Sequence, residues 1–232
     1  MITSKQNKTY KLYVSLKLKK YRDLHGLFLV YGSHLIENAK KHHCIHELLT
    51  CNPDKEGTLY DASLWREFQQ TETPFDQIAV CKKIMNPIDT KRILILDGVQ
   101  DPDNVGALIR SAAAFGFLHI ILSPYSADLY NEKTIRASKG SLFDVYVERK
   151  PIKESIREFR DRGFMIYYAD AHDEGTIHPS ENMVLVLGNE GHGINQDIKE
   201  LCHQSVHIET GRVESLNVSV AGAIIMHQWR II

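Results

Sequence analysis

MVLVLGNEGHGINQDIKELCHQSVHIETGRVESLNVSVA, residues 183–221, packs an apolar strand, a glycine-punctuated loop, a short helix, a second strand and a capped helix into one segment. Met183 to Leu187 is an unbroken apolar run, as expected of a strand buried on both faces of a parallel sheet. The six residues GNEGHG that follow from Gly188 place three glycines around Glu190. Glycine backbone takes positive φ and allows a ligand to approach closely, although a glycine-rich strand-to-helix turn has the same composition. The order G-x-x-G-x-G is neither the dinucleotide-binding nor the Walker A order, and no Lys-Ser or Lys-Thr follows it. Val206 to Ile208 is the next expected strand, and the turn Thr210-Gly211-Arg212 leads to Ser215, an expected helix N-cap before LNVSVAGAIIMHQW. Two strand ends and one helix start therefore converge.

Upstream, strands and helices alternate. ILILD (93–97), a helix over 104–115, HIILS (119–123), a helix over 131–138, DVYV (144–147), a helix over 151–161 and FMIYYAD (164–170) precede the quoted segment. That order predicts an α/β domain with right-handed crossovers and a parallel sheet covered on both faces, whose ligands sit at the carboxyl ends of the strands. After its first strand comes DGVQDPDNVGALIRSAAAFG (97–116). Asp101, Asp103 and Gly106 echo a calcium loop, but its twelfth position is Ala112 where a bidentate glutamate is required. A turn into a helix fits better: Pro102 ends the strand, Asp103 or Asn104 caps, and Arg110 follows Asn104 by close to two turns. On their own, Asn104 reads as a cap and Arg110 as a surface charge. The last helix is apolar almost all round, with Leu216, Val220 and Ile224 on one stripe and Val218, Ala221 and Ile225 on another. A second protomer or a third layer of the same chain would bury both stripes.

The first 82 residues read as a smaller α/β unit, with strands at Leu27–Tyr31, Ile45–Thr50 and Gln77–Cys81 and a helix over Ser33–Lys41. Residues 83–91, polar and containing Pro87, are the expected linker to a second domain at 92–232. At 232 residues and 43% hydrophobic composition the chain can bury two such cores. Its net charge of −1 gives little sign of a nucleic-acid partner, but residues 1–25 hold Lys5, Lys8, Lys11, Lys17, Lys19, Lys20 and Arg22 against Asp23 alone. This is either a footprint for phosphates or a solvated basic tail. Of these, Lys5, Lys8, Lys11, Lys19, Lys20 and Arg22 are the candidate RNA contacts. No apolar run approaches the roughly 20 residues that span a bilayer, and the polar N-terminus is unlike a secretory signal, so a cytoplasmic protein with no membrane partner is expected. The four cysteines form no C-x-x-C pair and read as reduced thiols. The ligands His42, His43, Cys44 and His46 are too close in sequence to face one ion together, so no metal is expected.

Three motifs stand in order: DPDNVGALIRSAAAFG (101–116), VLVLGNEGHGI (184–194) and VESLNVSVAGAI (213–224). Together they resemble the SpoU family of RNA ribose 2′-O-methyltransferases, and residues 2–39 resemble the family's N-terminal, ribosomal-protein-like RNA-binding domain. The resemblance implies a trefoil-knotted α/β domain that binds S-adenosylmethionine near the C-terminus and works as a homodimer. Cofactor contacts then fall on Leu187, Gly188, Ile208 and Leu216, and the family's polar positions on Asn104, Arg110, Glu190, Ser215 and Asn217. Arg110 activates the hydroxyl in the family's proposed scheme; stabilising a developing alkoxide or gripping a phosphate suits a protonated guanidinium equally well. Two positions depart from the family: Glu209-Thr210 replaces Pro-Met, and Tyr31 stands where a glutamate is usual. The expected substrate is ribosomal RNA ahead of transfer RNA, and a non-catalytic assembly factor with this fold is the competing class.

Overall fold

The computed structural model describes residues 1–71, 73–171 and 179–230. At its N-terminus Asn7 caps α1 (Lys8–Ser15), accepting from the Tyr10 amide, and Gly26 closes α2 (Lys19–His25) in the left-handed conformation at φ 64°. β1 (Leu27–Tyr31), α3 (Ser33–Lys41), β2 (Ile45–Thr50), β3 (Thr58–Leu59), α4 (Ala62–Trp65) and β4 (Gln77–Lys82) complete this part of the chain. The sheet order is β1-β4-β2-β3, antiparallel except for the β2/β3 pair. β1 is buried at every position because its two faces enter different cores. Leu27, Leu29 and Tyr31 pack with Tyr10, Tyr13 and Tyr60, whereas Phe28 and Val30 join the core of the second half of the chain. The Tyr31 hydroxyl donates to the Phe68 carbonyl at 2.8 Å, so this departure from the family faces inward.

Residues 83–91 carry no helix or strand. Beyond them follow β5 (Arg92–Leu96), α5 (Pro102–Phe115), β6 (His119–Leu122), α6 (Glu132–Ser138), β7 (Tyr146–Arg149), α7 (Ile152–Asp161), β8 (Met165–Ala169), β9 (Met183–Leu187), α8 (Gln196–Lys199), β10 (Gln204–Val206) and α9 (Val218–Gln228). All pairings in the β10-β8-β9-β5-β6-β7 sheet are parallel. The period of two divides each central strand between two cores. Leu94, Leu96, Leu185 and Leu187 meet α5, α6 and α9, while Ile93, Ile95, Val184 and Val186 meet α7 and α8.

Four local expectations are corrected. Asp101, not Asp103 or Asn104, caps α5, and Pro102 takes the first helical turn, where its missing N–H has no helical partner to lose. The strand expected at Val206–Ile208 lies at Gln204–Val206, and that expected at 144–147 lies at Tyr146–Arg149. Asn217, not Ser215, caps α9, accepting from the Ser219 amide at 2.8 Å.

The two halves are docked through polar as well as apolar contacts. Phe28 lies 4.4 Å from Tyr130 and 6.5 Å from Phe143, centroid to centroid. Arg22 Nη2 reaches Asp128 Oδ2 at 2.5 Å, and its Nη1 donates to the Leu16 and Lys17 carbonyls at 2.8 and 2.7 Å. Their side chains are only 7% and 16% exposed. Arg22, one of the expected RNA contacts, therefore faces inward and spends its charge on the second half of the chain.

Candidate active site

Every parallel strand ends on the same edge of its sheet, and the loops leaving β5 and β9 lie side by side there. Chain order reverses at this pair: β6 and β7 continue outward on one side of β5, and β9, β8 and β10 lie on the other. Crevices at such reversals are the usual ligand sites of open parallel sheets.

The loop after β9 is held in one shape by its own residues. Asn189 and Gly193 exchange backbone hydrogen bonds of 3.1 and 3.0 Å, and Asn189 Oδ1 accepts from the Gly191 amide at 2.8 Å. A Cβ on Gly188 would lie 2.5 Å from the Gly193 carbonyl carbon, and Gly193 sits at φ 67°, so both positions require glycine. Asn189 Nδ2 then donates to the Gly98 carbonyl at 2.8 Å, joining this loop to the one after β5.

Glu190 deepens that link. Its Oε1 accepts from Asn104 Nδ2 at 3.1 Å and from the Asp101 amide at 3.3 Å, and Oε2 accepts from the Gln100 amide at 3.3 Å. Burial pushes the carboxyl up, but these donors outweigh it and hold the pKa below the ordinary glutamate value. Glu190 is consequently ionised at neutral pH, an acceptor of hydrogen bonds and a weak base. Asn104, buried, passes the chain on: Asn217 Nδ2 donates to Asn104 Oδ1 at 3.1 Å. One line of hydrogen bonds thus joins the loop after β9, the start of α5 and the N-cap of α9.

Around this line opens a cleft of about 540 Å³ between the ends of β8, β9 and β10 and the N-terminus of α9. Leu187, Gly188, Ile208 and Leu216, the expected cofactor contacts, all line it, as do Glu190, Ser215 and Asn217. Asn104 stands behind the wall. Arg110 does not line the cleft: it is exposed on α5, about 9 Å further along the helix axis than Asn104. Lys5, Lys8, Lys11, Lys19 and Lys20 are exposed on the first half of the chain, Lys5 pairing with Glu67, Lys19 with Asp23, and Lys20 lying over the Tyr21 ring.

Sequence reading missed Asp170, Lys199 and Glu214 as polar groups of the cleft. Lys199 and Asp170 form an ion pair in its lining, and the Thr210 hydroxyl donates to the Val213 carbonyl at 2.7 Å. That last bond tightens the turn where the family has Pro-Met. Asp170 was within reach of sequence reasoning, because it is the last residue of an expected strand, at its carboxyl end.

The cleft fits S-adenosylmethionine on its own terms. Its volume lies within the roughly 300–1,000 Å³ of small-molecule pockets. Apolar walls from Leu187, Ile208, Ala221 and Ile225 suit a purine, and the Glu214 carboxylate suits the amine and sulfonium.

Comparison with known proteins agrees. Residues 91–227 match the SpoU rRNA Methylase family, and residues 7–92 match the MRM3-like substrate binding domain. The 23S rRNA (guanosine(2553)-2′-O)-methyltransferase RlmP of Bacillus subtilis is 33% identical over 99% of this chain and 98% of its own. The SpoU methyltransferase AviRb of Streptomyces viridochromogenes, solved in complex with S-adenosylmethionine, superposes with a TM-score of 0.83 at 25% identity, over 96% of this chain and 97% of that one. A TrmH/SpoU tRNA-modifying enzyme from A. aeolicus is similar over only 60% of this chain and 74% of its own, with TM-score 0.53 and 26% identity.

Proposed function

This chain belongs to the SpoU rRNA methylase family, and on that premise we propose that it methylates a ribose 2′-hydroxyl of large-subunit ribosomal RNA. It is an enzyme of the RNA ribose 2′-O-methyltransferase class, with S-adenosylmethionine as donor. The observation that carries the site assignment is the Glu190–Asn104–Asn217 line, which binds three motif segments around one cleft. The ribosomal substrate is favoured because similarity to RlmP runs through the N-terminal domain, whereas the tRNA-modifying relative matches little more than half of the chain.

Bound S-adenosylmethionine supplies a methyl group already activated by its sulfonium. Leu187, Gly188, Ile208 and Leu216 would hold it, leaving the protein to align the ribose oxygen and ease loss of a proton from a very weak acid. Glu190 keeps its charge and all three of its donors, so its work is positional: it fixes the loop that forms one wall and, through Asn104, the start of α9. Ser215 and Asn217 present the third motif to the target nucleotide. Arg110 is assigned the anion, either the adjacent phosphate or the alkoxide that develops on the ribose.

The same reading includes a homodimer, the family's trefoil knot and a cytoplasmic location. Val220, 48% exposed on the apolar α9, is the surface a second copy would cover. Support for the knot is the return of α9 to the centre of the sheet, where Gly222 approaches Leu108 of α5 and Leu187 of β9.

The test supplies purified protein with methyl-labelled S-adenosylmethionine and, separately, unmodified large-subunit rRNA, small-subunit rRNA, tRNA and assembling ribosomal particles. Label on large-subunit rRNA at a linkage resistant to alkaline hydrolysis is the expected result. Label on tRNA instead would overturn the substrate, and no label on any RNA or assembling ribosomal particle would overturn the activity.

A further inference from the structure

Between β6 and α6 the chain makes the turn Ser123-Pro124-Tyr125-Ser126, closed by the Ser126 amide donating to the Ser123 carbonyl at 3.2 Å. Pro124 occupies the second position, where its fixed φ suits the turn. The Tyr125 side chain stands out from the tip, 80% exposed.

A lone exposed aromatic is ordinary on a protein surface. This one is held with unusual thoroughness. Arg149 closes around the turn, Nη1 donating to the Ser123 and Ser126 carbonyls and Nη2 to that of Ala127 at 2.6 Å. Inside it, the Ser126 hydroxyl donates to the Leu96 carbonyl at 2.9 Å and the Ala127 amide to the Val99 carbonyl at 2.9 Å. The Ser123 hydroxyl accepts from the Gly98 amide at 2.9 Å, and Gly98 is the residue whose carbonyl accepts from Asn189. The turn is therefore locked to the loop after β5, which is locked to the loop of Glu190. Two strand spacings separate Tyr125's strand from β9, roughly 10 Å, the scale of one or two nucleotides.

On its other side the turn meets the N-terminal domain. Asp128 holds Arg22 of α2, and the exposed surface of that helix and its approach carries Leu18 (55% exposed), Lys19, Lys20 and Leu24 (72%), with Tyr21 half-buried among them. Tyr125 thus sits between the catalytic cleft and a surface that interleaves lysines with apolar side chains. Proteins bind unpaired RNA with this combination: cations follow the phosphates, and rigid aromatic rings stack on splayed bases.

We propose that Tyr125 is a stacking platform for an unpaired base of the substrate RNA close to the target nucleotide, with Lys19 and Lys20 carrying the adjoining backbone. This rests on the RNA-methylating function proposed above. It adds a residue outside the three motifs that sets how the RNA lies across the two domains.

The test measures binding of an unmodified large-subunit rRNA transcript to wild type, Tyr125→Ala, Tyr125→Leu and Tyr125→Phe, with melting temperature and S-adenosylmethionine affinity as controls. Base stacking of this kind predicts a roughly tenfold weaker RNA Kd for Ala and Leu and a Kd within about twofold of wild type for Phe. Wild-type affinity in Tyr125→Ala would overturn the proposal. So would a Phe variant as weak as Ala, which would make the hydroxyl the contact, or a change in sedimentation with RNA affinity intact, which would make the ring a protein contact. Methyl transfer is read on the same transcript: its absence in wild type, with the aromatic dependence of binding preserved, counts against the proposed activity and for the platform.

Discussion

Glu190 shows how a charged residue in a glycine-rich loop can be assigned a role by its neighbours. Three donors converge on it. Glu190→Ala would leave them without an acceptor, at about 1 kcal/mol for each bond that water does not replace, and should weaken S-adenosylmethionine binding as measured by calorimetry. The direction of its pKa shift fixes the pH dependence. A folded pKa below the unfolded one gives stability that is present above the unfolded value and lost as acid takes the pH down through the folded one. Urea unfolding should therefore show wild type more stable than Glu190→Gln at neutral pH, the gap closing only in acid below the ordinary glutamate value of 4.5. Arg110 makes the opposite prediction. Because it lies outside the cleft, Arg110→Ala should abolish methyl transfer and leave cofactor affinity near wild type; unchanged turnover in single-turnover assays would remove it from the mechanism.

Among the helices, the closest approaches are set by glycines. At Gly106 an added Cβ would meet Ala137 Cβ and the Thr134 carbonyl oxygen, both at 2.5 Å, so α5 and α6 touch nearly backbone to backbone. Gly106→Ala should lower stability by about 1–3 kcal/mol, visible as a lower thermal midpoint. Gly222→Ala would instead meet the side-chain tips of Leu108 and Leu187. Those tips can turn, so its stability cost should be smaller, but Leu187 lines the cleft and cofactor affinity should fall with it. Elements of this kind were legible in the sequence where burial is two-sided: Ile93–Leu96 and Met183–Leu187 read as continuous apolar runs because both faces are covered. The caps were not. Ser215 and Asn217 are equally good cap types two residues apart, and the choice coincides with a bond from Asn217 to Asn104, 113 residues earlier. The inward turn of Arg22 depends in the same way on Asp128, 106 residues later, and basic composition alone could only assign it to a phosphate. Four cofactor contacts implied by motif position do line one cleft, whereas Asp170 and Lys199, which belong to no motif, went unnoticed.

For the molecule as a whole, the docking of the two halves decides how they behave. Arg22→Ala would leave Asp128 largely buried without its cation, a loss of about 3 kcal/mol. It should lower the midpoint of a single unfolding transition; separation into two transitions would show the halves to be independent. A paired Arg22→Met, Asp128→Leu variant should recover most of that loss. The division of β1 between two cores also has a consequence during synthesis. When residue 82 has been made, the N-terminal sheet has all of its strands, but Phe28 and Val30 still lack partners such as Tyr130 and Phe143, which have not yet been translated. At typical bacterial and eukaryotic elongation rates that interval is about 3–12 s. For those seconds the nascent chain presents an apolar sheet face to solvent, which makes this interval, more than any property of the finished enzyme, the point at which a ribosome-associated chaperone would find a client.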